Sequence, residues 1–192
     1  WRGALMASHV ASYATRLARN RLGLWLFVVS DSFLFVGLFV ARVVLLGANR
    51  PELNQTLGFI VTLMLLFSSF FMNRAEVEMA HGNRPAFLRN TFITMALGTL
   101  FLLGVVGVEW QIAPFGPSDG AQGAVFYAMT GFHAFHVLTG VALLYIVWNN
   151  GRRGLYTAEE HWGVEAAAVY WHFVDVVWMF FYVGLYLMGS PV

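Results

Sequence analysis

The 192-residue chain has no cysteine, and all eleven of its basic residues are arginine. Without cysteine there is no disulfide framework, no iron–sulfur cluster and no thiolate zinc site. Charge is scarce: 11% of residues are Asp, Glu, Lys or Arg against 59% hydrophobic. A soluble domain carries about twice that charge, so an ordinary water-soluble globular enzyme is excluded. A net charge of +1 with no basic stripe also excludes a nucleic-acid partner. Internal repeats, low-complexity segments and domain-dividing linkers are absent as well. The first apolar run is too long for a cleavable signal peptide and lacks a small-residue cleavage site.

What the chain does have is long apolar runs. A bilayer core of roughly 30 Å takes about 20 mostly apolar residues per helix. Five stretches meet this requirement, at about 22–46, 57–79, 87–108, 123–148 and 164–188. Residues 1–21 precede them as an N-terminal cytoplasmic segment, and 22–190 read as a single membrane domain. The expected fold is an all-α integral membrane protein with five transmembrane helices. Between the third and fourth runs, Pro114 and Pro117 with Asp119-Gly120 mark a loop, because proline denies a helix its backbone donors. With the N-terminus inside, Arg2, Arg16, Arg19, Arg21, Arg74, Arg84, Arg89, Arg152 and Arg153 fall on the cytoplasmic side, and only Arg42 and Arg50 outside. That bias sets an N-inside, C-outside orientation.

Ionisable groups inside a bilayer are costly and call for a partner or a role. Asp31 lies within the first run, His133 and His136 near the middle of the fourth, and His172 and Asp175 near the middle of the fifth. Each of the last two pairs has a spacing of three, which puts its members on one helix face. Antiparallel neighbours would bring both pairs to similar depth. Gly131, Ala134 and Gly140, facing Ala166-Ala167-Ala168, would let the backbones approach. Three readings of His133, His136, His172 and Asp175 follow: a structural polar cluster between helices, axial ligation of one haem by histidines from two helices, or a proton path. Asp31 reads either as a carboxyl bonded to Ser30, Ser32 or a neighbouring helix, or as a protonatable site. Arg152, Arg153 and His161, with Glu165 just beyond, read either as an ordinary solvated turn or as a phospholipid head-group site, since the guanidinium fork suits phosphate.

Several segments resemble subunit III of cytochrome c oxidase. They are Glu109-Trp110, Ala113-Pro114-Phe115, Ser118-Asp119-Gly120, Thr130-Gly131-Phe132-His133, His136-Val137, Gly163-Val164-Glu165-Ala166-Ala167-Ala168 and Tyr170-Trp171-His172-Phe173-Val174-Asp175-Val176-Val177-Trp178, together with Ser30-Asp31 in a helix opened by Arg21-Leu22-Gly23. The similarity runs over roughly residues 21–190. Long members of that family have seven helices, and this chain resembles the short five-helix bacterial form lacking the first two.

The resemblance implies an accessory, non-catalytic subunit of a proton-pumping, oxygen-reducing oxidase in a bacterial plasma membrane. Its implied partners are oxidase subunits I and II, with a respiratory supercomplex as a further candidate assembly. Haem and copper would sit in those partners, and this chain would hold none, only structural phospholipids. Asp31 matches the family's buried helix acid, associated with support of proton uptake and stability of the catalytic subunit. The four-residue histidine and aspartate group would then be structural or lipid-contacting. A subunit of a quinol oxidase is the second reading. A haem-binding cytochrome b-type anchor, which would need His136 or His172 as ligands, is a more distant one. A transporter using the buried acids is disfavoured by the lack of paired broken helices and repeat symmetry.

Overall fold

The structure, a computed structural model, describes residues 2–191. Five helices are long and apolar enough to cross a membrane. Helix α1 covers Arg2–Leu46, α2 Gln55–Ala80, α3 Arg84–Ile112, α4 Gly120–Arg152 and α5 Trp162–Leu187. At a rise of 1.5 Å per residue even the 26-residue α2 measures about 39 Å, more than a hydrocarbon core requires. The multi-pass all-α membrane architecture expected from the apolar runs is the one observed.

The helix ends follow local chemistry. Asn54 caps α2 by accepting from the Leu57 N–H at 3.0 Å. After α2 the chain turns through Gly82 at φ +72°, a left-handed conformation suited to glycine. Asn83 then caps α3, whose second residue is Pro85, so that a residue without an N–H costs no helical hydrogen bond. Before α4, Asp119 folds the proline loop by accepting from the Gly116 N–H at 2.6 Å.

Two helices depart from regular α geometry. In α3, residues Leu103–Glu109 form a π-helical stretch, and α5 ends in another at Val183–Leu187. A π turn inserts a residue and rotates everything beyond it relative to the preceding faces. Past the second one, Ser190–Pro191 (β2) pairs in parallel with Asn49–Arg50 (β1) of the α1–α2 connector.

The chain forms two contact units. Up to Leu34 the first is the N-terminal part of α1, whose apolar residues Leu22, Trp25, Leu26, Phe27, Val29 and Phe33 are exposed, while Val28 is buried. The second begins at Phe35 and contains the end of α1 with α2 to α5. Its core is built on Trp171, Trp178, Phe87, Phe101, Phe126, Phe181 and Tyr186, all fully buried. Helix α2 lies along both α3 and α5, and α4 along both α3 and α5. Trp171 shows how closely these helices approach. A β-carbon on Gly98 of α3 would stand 2.4 Å from its ring, and one on Gly140 of α4 would stand 3.0 Å from it. Gly140 thus serves the expected close approach of α4 and α5. Gly131 differs: its neighbour is the Trp110 ring, on α3.

Candidate functional site

His133 is fully buried on α4 and enclosed by aromatic rings, with centroids 4.9 Å away for Trp178, 5.6 Å for Phe101 and 6.2 Å for Phe181. Neither of its ring nitrogens has a hydrogen-bond partner among the described residues. His136, one turn on, is half-buried; its Nδ1 donates to the Phe132 carbonyl of its own helix at 2.7 Å, and its ring meets Phe35 at 4.7 Å. His172 does not turn to α4. Its Nδ1 lies 2.6 Å from Ser69 Oγ on α2. Asp175 is buried beside the same Ser69, and neither carboxylate oxygen has a hydrogen-bond partner among the described residues.

Neither His133 nor Asp175 has a hydrogen-bond partner among the described residues, and His172 bonds Ser69 of α2. Tyr170 makes a polar contact between α4 and α5. Its hydroxyl lies 2.8 Å from Thr139 Oγ1 and donates to the His136 carbonyl at 3.2 Å. Physically, three-residue spacing fixes which residues share a face but not which neighbouring helix that face meets. Helix α5 turns the indole nitrogens of Trp171 and Trp178 to α2, while their rings also pack on Gly98 and Phe101 of α3 and on Gly140 and His133 of α4.

Three side-chain contacts cross the α2–α5 seam. Trp171 Nε1 donates to Ser68 Oγ at 3.0 Å, Trp178 Nε1 donates to Thr62 Oγ1 at 3.0 Å, and Ser69 meets His172. Thr94 on α3 adds a bond to the Ser68 carbonyl at 3.3 Å. Sequence reading misses Thr62, Ser68 and Ser69. Serine and threonine inside a helix commonly satisfy themselves on a carbonyl one turn back, so nothing in their spacing announces an inter-helix role. Both hydroxyls here do so as well, Thr62 to Gly58 and Ser68 to Leu65.

Asp31 lies in the N-terminal unit and is half-buried on α1. Ser32, one of its expected partners, turns its hydroxyl to the Val28 carbonyl at 2.7 Å. Among the loop residues, Arg152 and Arg153 are exposed, and the Arg152 guanidinium stacks over the Trp148 ring at 4.8 Å. Arg84 donates to the Arg152 carbonyl, tying the α2–α3 turn to the end of α4. His161 and Glu165 lie together, with Nε2 and Oε1 3.8 Å apart.

Arg42, within the first apolar run, is a fully buried side chain of α1. Its guanidinium donates to four carbonyls: Nε to Gly184 at 2.7 Å, Nη1 to Gly47 at 2.9 Å, and Nη2 to Asn49 at 2.8 Å and Met188 at 2.7 Å. One side chain thus ties the end of α1, the α1–α2 connector and the π-helical end of α5.

Among the described residues, no three His, Asp or Glu side chains are grouped so as to hold a metal ion. The arrangement is that of a packed, hydrogen-bonded membrane scaffold.

Residues 2–190 match the family model described as cytochrome c oxidase subunit III. Curated relatives include cytochrome c oxidase subunit 3 of Dasypus novemcinctus, Ceratotherium simum and Halichoerus grypus. Each is 36% identical over 205 residues, covering 99% of this chain and 78% of the relative. With five membrane helices in place and a match along almost its whole length, the chain belongs to the cytochrome c oxidase subunit III family.

Proposed function

We propose that this chain is an accessory subunit of a proton-pumping cytochrome c oxidase, binding phospholipid and supporting proton uptake by, and stability of, the catalytic subunit. The observation that carries the reading is the near full-length family match, combined with Ser68, Ser69 and Thr62 of α2 bonding the tryptophans and His172 of α5. Its partners are oxidase subunits I and II, which hold the haem and copper, and this chain carries no catalytic centre. A respiratory supercomplex is a further assembly for it. The membrane is a bacterial plasma membrane, with the N-terminus inside and the C-terminus outside as the arginine bias indicates. Residues 1–21 form a cytoplasmic segment ahead of a membrane domain at 22–190.

Asp31 is the acid that supports proton uptake. His133, His136, His172 and Asp175 serve packing, through separate contacts. Arg152 and Arg153, exposed beside Trp148 at the inner end of α4, meet lipid phosphate, with His161 and Glu165 completing the inner face. Replacing Asp31 by alanine is expected to slow proton uptake or shorten the working life of the assembled oxidase without removing haem. Oxygen consumption, proton release and inactivation rate in proteoliposomes measure this. Wild-type values for all three would remove Asp31 from the function.

A further inference from the structure

The start of α3 and the end of α4 are clamped together. Arg84 donates to the Arg152 carbonyl, and Trp148 Nε1 donates to the Leu88 carbonyl at 3.1 Å. A β-carbon on Gly151 would stand 2.3 Å from the Phe87 ring, so the two helices close as far as glycine allows.

The outer surface of this clamp carries cations beside aromatic rings. The Arg152 guanidinium stacks over the Trp148 ring at 4.8 Å, and Trp148 is flanked by Tyr145 at 6.4 Å and Phe92 at 6.3 Å. Arg89 is exposed and lies one turn before Phe92, on the same face of α3. Two exposed guanidiniums, one from each helix, therefore border one aromatic platform. Stacking of Arg152 leaves its in-plane N–H groups available to bond an oxyanion. One turn beyond the rings, Ala96 of α3 and Ala142 of α4 are both exposed, so the surface continues low and apolar.

No acid on this part of either helix offsets the arginines. Residues 79–108 and 120–158 contain no Asp or Glu. Glu78, at the end of α2, is bonded by Arg74 at 3.1 Å and by Asn83 at 2.7 Å. Trp and Tyr favour the headgroup depth of a bilayer, which places Arg89 and Arg152 at the level of lipid phosphate.

We propose that this surface binds one net-anionic phospholipid, with its phosphate between Arg89 and Arg152 and an acyl chain laid over Ala96 and Ala142. The inference rests on the phospholipid-binding reading above, to which it adds a second helix, a second arginine and the charge of the lipid. A zwitterionic lipid would bring an ammonium into a patch of unbalanced positive charge, whereas a net-anionic one relieves it.

Native mass spectrometry of the purified complex, with phosphatidylglycerol or phosphatidylcholine added, tests it. The parent should retain phosphatidylglycerol in preference to phosphatidylcholine. Arg89→Gln should lower phosphatidylglycerol retention about fivefold, the effect of one arginine at a membrane surface, and Arg152→Gln should do the same. Ala96→Trp, which fills the low surface and keeps both arginines, should lower it too. Parental retention in Arg89→Gln and Ala96→Trp, with loss in Arg152→Gln, would overturn the two-helix site and leave the phospholipid reading of Arg152 standing. Equal retention of the two lipids by the parent would also overturn the proposal, and retention of neither would overturn that reading with it. If Arg89→Gln fails to assemble, Ala96→Trp decides alone.

Discussion

Arg42→Met is expected to destabilise the assembled protein by about 3–5 kcal/mol, the range for removing one partner of a buried charged group. The physical reason lies in what stays behind. Methionine keeps the apolar stem, so little packing volume is lost. The carbonyls of Gly184, Gly47, Asn49 and Met188 lose a common donor at once. A buried acceptor left unsatisfied costs about 1–3 kcal/mol, and local fraying toward water at the connector recovers part of that sum. The first signs should be separation of β2 from β1 and loosening of the last turn of α5. Arg42→Lys should fall between parent and methionine variant, because one ammonium cannot reproduce the spread of a planar fork. The check is thermal unfolding of the purified complex in mild detergent, with proteolysis of the C-terminal residues as the local readout. Equal melting temperatures for all three proteins would show that the four bonds contribute nothing.

Trp171→Ala carries the second large effect. Trp171 is 1% exposed, fills the space over Gly98 and Gly140, and donates to Ser68. Truncation opens a cavity where α2, α3, α4 and α5 converge, and large-to-small changes of this kind cost about 3–5 kcal/mol. In a bilayer, tails are as apolar as leucine, so loss of close packing and of one inter-helix bond dominates over any change in water exposure. The converse variant, Gly98→Val, should also be harmful, by about 1–3 kcal/mol or more. The ring cannot retreat, since Gly140 lies against its other side and Ser68 holds its nitrogen. Co-purification of the chain with its partner subunits measures both variants. Gly98→Val assembling at parental yield would mean that the ring is free to move, contrary to the contacts described.

These two residues also show what is legible in an amino-acid sequence and what is not. The five spans follow from hydropathy alone, because in lipid the length of an apolar run is itself the structural requirement. Helix α1 begins well before its apolar run, since Ala- and Arg-containing segments favour helix without being apolar. The π-helical stretches at Leu103–Glu109 and Val183–Leu187 leave no mark on the pattern of Val, Gly and Leu around them. The partners of Arg42 are hidden because four backbone carbonyls, unlike an acidic side chain, cannot be seen in one-letter code.

Spacing correctly put His172 and Asp175 on one face of α5 but could not say that the face meets Ser69 of α2 rather than α4. Family-like segments such as Tyr170–Trp178 are legible for a different reason. Their residues are used all the way round the helix, Trp171 on Ser68, His172 on Ser69, Tyr170 on Thr139 and Trp178 on Thr62, so the whole string is constrained rather than one stripe of it.

The most direct measurement is an optical redox spectrum of the tagged chain, purified in mild detergent and recorded before and after its partners are stripped away. An accessory subunit with no cofactor of its own predicts haem absorbance in the intact complex and none in the stripped chain. Haem retained by the stripped chain would contradict that role and make His136 and His172 the ligand candidates.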